Sequence, residues 1–171
     1  MVDTVIVMGV SGAGKTTVAQ DLARVMGWPM AEGDDFHPPA NVAKMHEGHP
    51  LDDEDRWPWL RSIAAWIGER EAEGQNSVVT CSALKRSYRD VLRDGHPSVR
   101  FCHLITEVDL IRGRMEHRAG HFMPPTLLAS QVATLEPLEP DENGVVVDVS
   151  GTEEEVLQAV LKALGLTPVD A

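Results

Sequence analysis

One short stretch near the N-terminus constrains the fold of this chain more than any other feature. The strand-like run TVIVM, Thr4–Met8, leads directly into GVSGAGKT, which extends from Gly9 to Thr16. This stretch satisfies the pattern G-x-x-x-x-G-K-[S/T] in full, and a helical pattern begins at Lys15. A strand, a glycine-rich loop and a helix in this order bind the phosphates of a nucleotide. The sequence therefore predicts a phosphate-binding loop (P-loop) at the end of the first strand of an α/β sheet.

The spacing within this loop has a physical reason. Glycines allow successive backbone N–H groups to converge on phosphate oxygens, and the helix that follows adds the partial positive charge of its N-terminus. The Lys15 ammonium group would reach the β- and γ-phosphates, and the Thr16 hydroxyl would ligate Mg²⁺. The predicted nucleotide-binding residues are Gly9, Val10, Ser11, Gly12, Ala13, Gly14, Lys15 and Thr16. The alternative is a glycine-rich turn that binds no nucleotide.

Charge and composition exclude several classes of protein. The chain has 171 residues, 43% of them hydrophobic, which predicts one globular domain over residues 1–171. Its 15 basic and 27 acidic residues give a net charge of −12, which argues against a nucleic-acid partner. Eight of the basic residues lie between positions 85 and 118. A basic patch confined there suits a small anionic ligand, and arginines scattered over solvated helix faces are the alternative.

Three further features of the sequence indicate the cellular compartment of the protein. Cys81 and Cys102 lie in apolar runs without a Cys-x-x-Cys pair, which is typical of buried thiols in a reducing compartment. The N-terminus has no basic segment followed by a cleavage site, as a secretory signal would have. No apolar run approaches the ~18 residues that a membrane span needs. These observations predict a cytoplasmic protein with no membrane partner.

Short β-rich runs alternate with longer helical patterns along the chain, which predicts a parallel sheet with helices on both faces. The predicted strands are Thr4–Met8, Met30–Gly33, Ser77–Cys81, Val99–Ile105 and Val145–Val149. The predicted helices are Lys15–Met26, Asp53–Glu73, Ser87–Asp94, Val108–His117, Pro125–Leu135 and Glu153–Leu164. Thr152 and Glu155 have the spacing of a capping box, and Pro58 offers an alternative start for the second helix. Two polar excursions, at about 34–60 and 112–125, would flank a ligand crevice at the carboxyl ends of the strands.

Two groups of charged residues indicate which reaction and which ligand the site would serve. Asp34 follows the second strand in the sequence EGDD, where a carboxylate can orient an alcohol and accept its proton; a helix cap or a solvated turn is the alternative. Arg56 lies among four acidic residues at positions 52–55, so it either pairs with them or reaches a ligand carboxylate.

Basic side chains follow the third strand and precede the second excursion. Lys85 and Arg89 are spaced i, i+4, which would put two cations on one helix face for an anionic substrate. Arg112, Arg114 and Arg118 suit a mobile lid that carries an arginine to the transferring phosphoryl group, or else a plain amphipathic helix.

Taken together, these segments resemble the gluconokinase family, small P-loop sugar-acid kinases related to shikimate kinase. The resemblance covers nearly the whole chain and combines five stretches. They are MGVSGAGKTT at 8–17, GDDFHPPANVAKM at 33–45, PLDDEDRWPWL at 50–60, CSALKRSYRDVLR at 81–93 and GHFMPPTLLASQVATLEPLE at 120–139.

This resemblance implies ATP-dependent phosphorylation of D-gluconate at its terminal C6 hydroxyl, with Mg²⁺. It also implies a nucleoside-monophosphate-kinase-like three-layer fold with strand order 2-3-1-4-5, a mobile lid, and commonly a homodimer. Carried over by position, the catalytic residues are Lys15, Asp34 and Arg118, and Thr17, Arg114 and Arg118 join the nucleotide site. The sugar acid would be contacted by Asp34, His37, Arg56, Lys85 and Arg89.

The chain departs from the family pattern at two positions near the metal. Glu32 stands where many relatives have aspartate, so its contact to Mg²⁺ could be longer or pass through water. The third strand, VVTCS, has no terminal aspartate of the Walker-B type. The metal would then depend on Thr16, the phosphates, water, and either Asp34 or Glu32.

Two rival functions stay open on sequence alone. One is a related kinase for another small hydroxy acid such as shikimate. The other is a nucleotide-dependent switch, which would bind nucleotide without acceptor-dependent turnover, although no guanine-reading N-K-x-D motif is present.

Overall fold

A five-stranded parallel sheet lies at the centre of the molecule. The computed structural model describes residues 2–9, 14–49, 51–105, 135–136 and 138–168. The strands are β1 (Thr4–Met8), β2 (Met30–Glu32), β3 (Ser77–Thr80), β4 (Val99–Ile105) and β5 (Gly144–Asp148). Their order is β2-β3-β1-β4-β5, and every neighbouring pair is parallel. The predicted sheet and its strand order are confirmed.

Helices cover both faces of this sheet. Numbered within the described residues, they are α1 (Lys15–Met26), α2 (Pro39–His46), α3 (Asp53–Ala72), α4 (Arg86–Arg93) and α5 (Glu153–Leu164), with a 3₁₀ turn at Gly33–Phe36. The predicted helix Val108–His117, the lid at 112–125 and all but the last residue of the predicted helix Pro125–Leu135 lie outside the described residues, and Leu135 itself is not helical.

The alternation of side chains along β1 creates two cores. Val5 and Val7 belong to the core under α1 and α5, whereas Ile6 and Met8 belong to the core under α3 and α4. All four side chains are fully buried because the strand is covered on both faces. The result is the predicted three-layer arrangement of helices, sheet and helices.

Local capping signals fix where two helices begin. The Thr152 hydroxyl accepts a hydrogen bond from the Glu155 backbone N–H, and the Glu155 carboxylate accepts one from the Thr152 backbone N–H, so the predicted capping box is confirmed. A second capping box between Asp52 and Asp55 starts α3 at Asp53. The alternative start at Pro58 is therefore wrong, because this proline lies in the second turn of a helix that is already capped.

Both cysteines are buried and reduced, as expected. Burial raises the pKa of the Cys81 thiol and of the Cys102 thiol to about 12. Among the helices that the structure describes, none is long and apolar enough to cross a membrane.

Three adjacent strands bring the predicted site segments together. Because β2, β3 and β1 are parallel neighbours, their carboxyl ends meet at one edge of the sheet. Gly9 follows β1, Gly33 follows β2 and Cys81 follows β3. This shared edge is the expected position for a ligand site in an open α/β sheet.

Candidate active site

The described ends of the P-loop have the geometry that phosphate binding requires. Gly9 has φ 148° and Gly14 has φ 92°, a left-handed region that favours glycine. α1 begins at Lys15, and its first turn has no acidic residue, so its N-terminal partial charge is not offset there. The Lys15 Nζ donates to the Gly9 carbonyl at 3.1 Å. Residues 10–13, which complete the predicted loop, lie outside the described residues.

A carboxylate from β2 lies against the first turn of α1. Glu32 Oε2 accepts hydrogen bonds from the Thr80 hydroxyl at 2.7 Å and from the Thr16 hydroxyl at 3.2 Å. Thr80 in turn accepts the Gly33 N–H at 3.0 Å. Sequence reasoning missed Thr80, which follows from the register that pairs it with Glu32 across two strands.

These groups fit a magnesium ion. Glu32 Oε1 is buried and has no hydrogen-bond partner among the described residues, and it belongs to the carboxylate that already contacts Thr16. Hydroxyl and carboxylate oxygens are ligands that Mg²⁺ accepts, with water and substrate phosphates completing its shell. The part of the chain that the structure describes has no cluster of three or more histidine, cysteine or acidic side chains suited to a metal. A metal here would therefore rely on Thr16, Glu32, water and phosphate.

The turn that carries Asp34 is held tightly at Gly33. A Cβ added at Gly33 would lie 2.0 Å from the Thr80 carbonyl oxygen, so only glycine fits. The Trp59 indole N–H donates to the Gly33 carbonyl at 2.7 Å. The next residue, Asp34, has a side chain that is 61% exposed. A rigid backbone thus presents an accessible carboxylate at the carboxyl end of β2, one strand away from β1, which carries the P-loop.

His37 is held in a neutral form next to this carboxylate. Its ring stacks on Trp59 with centroids 4.2 Å apart, and its side chain is 4% exposed. Burial lowers the pKa of His37 to about 4, assisted by the Arg56 charge and opposed by Asp34, whose Oδ1 lies 4.0 Å from Nε2. Asn41 Nδ2 lies 3.2 Å from His37 Nδ1. Near neutral pH this imidazole is therefore uncharged.

Arg56 and Lys85 meet around one tyrosine hydroxyl. Arg56 Nη1 donates to the Tyr88 hydroxyl at 2.8 Å, and that hydroxyl donates to Asp53 Oδ1 at 2.5 Å. The same oxygen accepts from Lys85 Nζ at 3.1 Å. Both cations also lie over the Tyr88 ring, at 5.2 and 5.6 Å from its centroid. Sequence reasoning predicted Arg56 and Lys85 but missed Asp53 and Tyr88.

The acidic neighbours of Arg56 have other partners. Lys44 Nζ lies 2.6 Å from Asp55 Oδ2, and the Asn41 amide donates to the Asp55 carbonyl at 2.8 Å. Asp53 forms an ion pair with Lys85. Among the described contacts, no ion pair joins Arg56 to any of residues 52–55. Of the two interpretations of Arg56, the one in which its neighbours neutralise it is therefore not supported.

Arg89 does not share a face with Lys85. Lys85 is the N-cap of α4, with φ −108° and ψ 149°, and the helix begins one residue later. The Arg89 side chain is fully buried and pairs with Glu142 at 2.5 Å, and it donates to the Ala83 carbonyl at 2.9 Å. The expectation that the two cations lie together on one helix face is wrong, because Arg89 is buried against Glu142 whereas Lys85 is 32% exposed and pairs with Asp53. Contact between Arg89 and the substrate stays a prediction.

The predicted arginines Arg112, Arg114 and Arg118 lie outside the described residues. Thr16 and Thr17 are both exposed and lie in the first turn of α1, directly after the P-loop.

Comparison with known proteins identifies the family. No family model matches the chain. It is 51% identical to a gluconokinase of Gluconobacter oxydans over 146 residues, 85% of this chain and 81% of that protein. A sugar kinase structure from a Janibacter species matches with 53% identity and a TM-score of 0.93, covering 100% of this chain and 99% of the other. A gluconokinase structure from Sinorhizobium meliloti matches with 47% identity and a TM-score of 0.83, covering 95% and 91%. With relatives this similar over most of its length, the chain belongs to the gluconokinase family.

Proposed function

We propose that this protein transfers the γ-phosphoryl group of ATP to the terminal C6 hydroxyl of D-gluconate, giving 6-phosphogluconate and ADP. The observation that carries the proposal is the convergence of three groups at one sheet edge. These are the P-loop helix at Lys15, the exposed carboxylate of Asp34 and the paired cations Arg56 and Lys85. Membership of the gluconokinase family supports the choice of substrate.

The P-loop and the residues next to it would bind the phosphates of ATP. Lys15 and the N-terminus of α1 would stabilise negative charge on the β- and γ-phosphates as the bridging bond breaks. Thr16 and Glu32 would hold Mg²⁺, directly or through water, and this ion supplies charge neutralisation on the phosphates when bound. Thr80 keeps the Glu32 carboxylate turned toward Thr16.

The acceptor end depends on Asp34. The C6 oxygen of gluconate attacks the γ-phosphorus while the bond to the β–γ bridging oxygen breaks and ADP leaves. The hydroxyl proton passes to the Asp34 carboxylate, which orients the alcohol before transfer. The rigid turn at Gly33 supports this role because positioning supplies much of the rate acceleration in phosphoryl transfer.

The remaining groups suit a polyhydroxylated acid. Arg56 and Lys85 would bind the carboxylate of gluconate, since guanidinium and ammonium donors form charge-assisted hydrogen bonds with it. His37, which is neutral because it is buried, would bind a hydroxyl of the sugar chain.

Arg114 and Arg118 are proposed for the lid. The homodimer, the cytoplasmic location and the single domain over 1–171 stay predictions.

The test is a coupled assay with MgATP and three parallel acceptors: D-gluconate, shikimate and none. ADP release that requires gluconate, with 6-phosphogluconate as the product, is the expected result. ADP release with shikimate alone would overturn the substrate while keeping the reaction class. ATP binding without acceptor-dependent ADP would favour the nucleotide switch.

A further inference from the structure

The hydroxyl of Tyr88 is the centre of a directed hydrogen-bond chain. Arg56 carries only donors, so the Tyr88 oxygen must accept from it, and the tyrosine proton then points to Asp53 Oδ1. That carboxylate oxygen also accepts from Lys85. The order Arg56, Tyr88, Asp53, Lys85 is therefore fixed by the donor and acceptor types alone.

The members of this chain come from two packed elements. Asp53 and Arg56 lie in the first turn of α3, whereas Lys85 caps α4 and Tyr88 lies in its first turn. The Tyr88 residue is 1% exposed and belongs to the core between the sheet and these helices. Its ring meets Trp57 edge to face, with centroids 5.7 Å apart. The ring is thus fixed by packing, and its hydroxyl has a defined position.

The charged members of the chain are less buried than the tyrosine. The Lys85 side chain is 32% exposed, Asp53 is 43% exposed and Arg56 is half-buried. A long cationic side chain in such a position samples many rotamers unless something holds it, and ordering it on binding costs affinity. The buried tyrosine links both cations to the rigid core, directly at Arg56 and through Asp53 at Lys85.

We propose that Tyr88 is a positioning residue for recognition of the substrate carboxylate, acting through Arg56 and, by way of Asp53, through Lys85. It does not touch the substrate itself. The chain holds the guanidinium and the ammonium group ready before the sugar acid arrives. Asp53 also offsets one of the two positive charges, so the cluster carries a net charge of +1, which suits a monoanionic acid. This inference rests on the proposed function, which assigns the carboxylate to Arg56 and Lys85.

Tyr88→Phe tests the proposal with minimal change to the fold. It keeps the ring, its contact with Trp57 and both cation–ring contacts, and removes only the hydroxyl. We expect KM for gluconate to rise about tenfold, because two side chains must then be ordered on binding. The kcat and KM for ATP should stay within about twofold of wild type. An unchanged KM for gluconate would overturn the proposal, as would an equal effect on KM for ATP.

Asp53→Asn is the second variant, and it is safe for folding because Asp53 is partly exposed. It weakens the interaction that positions the Lys85 ammonium group. It should therefore also raise KM for gluconate while leaving KM for ATP unchanged. The matched control is Asp90→Asn, the same change on the outer face of α4, where Asp90 pairs with Arg93 at 2.8 Å. This control should leave KM for gluconate at its wild-type value.

A spectroscopic measurement tests the chain without any substrate. Tyr88 is the only tyrosine in the sequence, so the near-ultraviolet absorbance of tyrosinate reports on this residue alone. Burial and the hydrogen bond to Asp53 raise the pKa of Tyr88. Asp53→Asn should therefore lower the alkaline titration midpoint, with tryptophan fluorescence confirming that the protein stays folded.

The two measurements separate the inference from the proposed function. An unchanged tyrosinate midpoint in Asp53→Asn would overturn the hydrogen-bond chain, whatever the acceptor is. Wild-type protein that fails to turn over gluconate would overturn the proposed function and with it the assignment to a carboxylate. Gluconate turnover with unchanged KM in Tyr88→Phe would overturn the inference alone.

Discussion

Arg89 and Glu142 form an ion pair from which solvent is excluded, and it ties α4 to the segment before β5. Both side chains are fully buried, with Nε 2.5 Å from Oε1 and Nη2 3.1 Å from Oε2. Arg89 also donates a hydrogen bond to the carbonyl of Ala83, a residue with φ 46°. Burial alone would raise the pKa of Glu142, but hydrogen bonds from Arg89 and from the Glu139 backbone N–H outweigh it and lower that pKa. The pair therefore joins the loop after β3, α4 and the approach to β5.

Glu142→Gln should destabilise the protein more than it affects substrate binding. The substitution leaves the buried guanidinium without a balancing charge, and breaking such a pair costs about 3–5 kcal/mol in the free energy of unfolding. Urea unfolding measures this loss, and KM for gluconate in the folded variant should not rise. The control is Asp141→Asn, which removes an exposed ion pair with Arg86 and should change stability far less. A raised KM at wild-type stability would instead place Arg89 in the substrate site.

Stability should fall as the pH is lowered from 7 to 5. Burial lowers the pKa of His37 and of His103 to about 4, compared with about 6.5 in the unfolded chain. Between these values the unfolded chain binds protons that the folded protein excludes, so the free energy of unfolding decreases with decreasing pH. The expected loss over this interval is on the order of 2 kcal/mol for each histidine.

Urea unfolding at both pH values checks this expectation. The paired carboxylates contribute little over this interval, because groups with a lowered pKa, such as Asp53, lose their stabilising contribution mainly below about pH 5. His37→Gln and His103→Gln should each remove about half of the pH dependence. An unfolding midpoint that is constant from pH 7 to 5 would show that these imidazoles take up protons in the folded protein as they do in the unfolded chain.

Local signals made the sheet and most helices predictable. The helix Lys15–Met26 was predicted to the residue because glycines bound it at both ends, Gly14 and Gly27, each in the left-handed conformation. The helix Glu153–Leu164 was predicted equally well because its cap, Thr152 with Glu155, is contained within four residues. Strand order came from the family resemblance rather than from any local pattern.

The contacts that shape the site depend on distant residues and were not predictable in the same way. Thr80 becomes the partner of Glu32 only through the register of β2 against β3, which no single segment encodes. Arg89 was expected beside Lys85, but it is buried against Glu142, which lies 53 positions away in the sequence and leaves no trace in the helical pattern. Tyr88 had no signal, since its role depends on how α3 packs against α4.

Thr80→Val should weaken metal binding at the nucleotide site. The hydroxyl of Thr80 is a donor to the Glu32 carboxylate, and losing it frees that carboxylate to turn away from Thr16. Groups that orient a metal's ligands typically change its affinity about 10–100-fold. Glu32→Gln should have an effect at least as large because it removes the charge.

Binding of Mn²⁺ in the presence of a non-hydrolysable ATP analogue, followed by electron paramagnetic resonance, measures this without turnover. The matched control is Thr4→Val, the same change on β1 at the opposite end of the sheet, where Thr4 contacts Ser98. Wild-type Mn²⁺ affinity in both Thr80→Val and Glu32→Gln would remove Glu32 from the metal site.

Asp34→Asn should abolish most of the turnover while leaving nucleotide binding intact. The amide keeps the size of the side chain but cannot accept the hydroxyl proton of the acceptor, and general-base groups contribute typically about 10²–10⁴-fold to rate. Asp35→Asn is the natural control, because Asp35 is the next residue in the same 3₁₀ turn and is also exposed to solvent. Steady-state kinetics with gluconate and calorimetric titration with an ATP analogue measure the two properties separately. Because Asp34 is fixed by the close approach of Gly33 to Thr80, equal activities in the two variants would mean that this rigid turn presents its carboxylate for some purpose other than proton transfer.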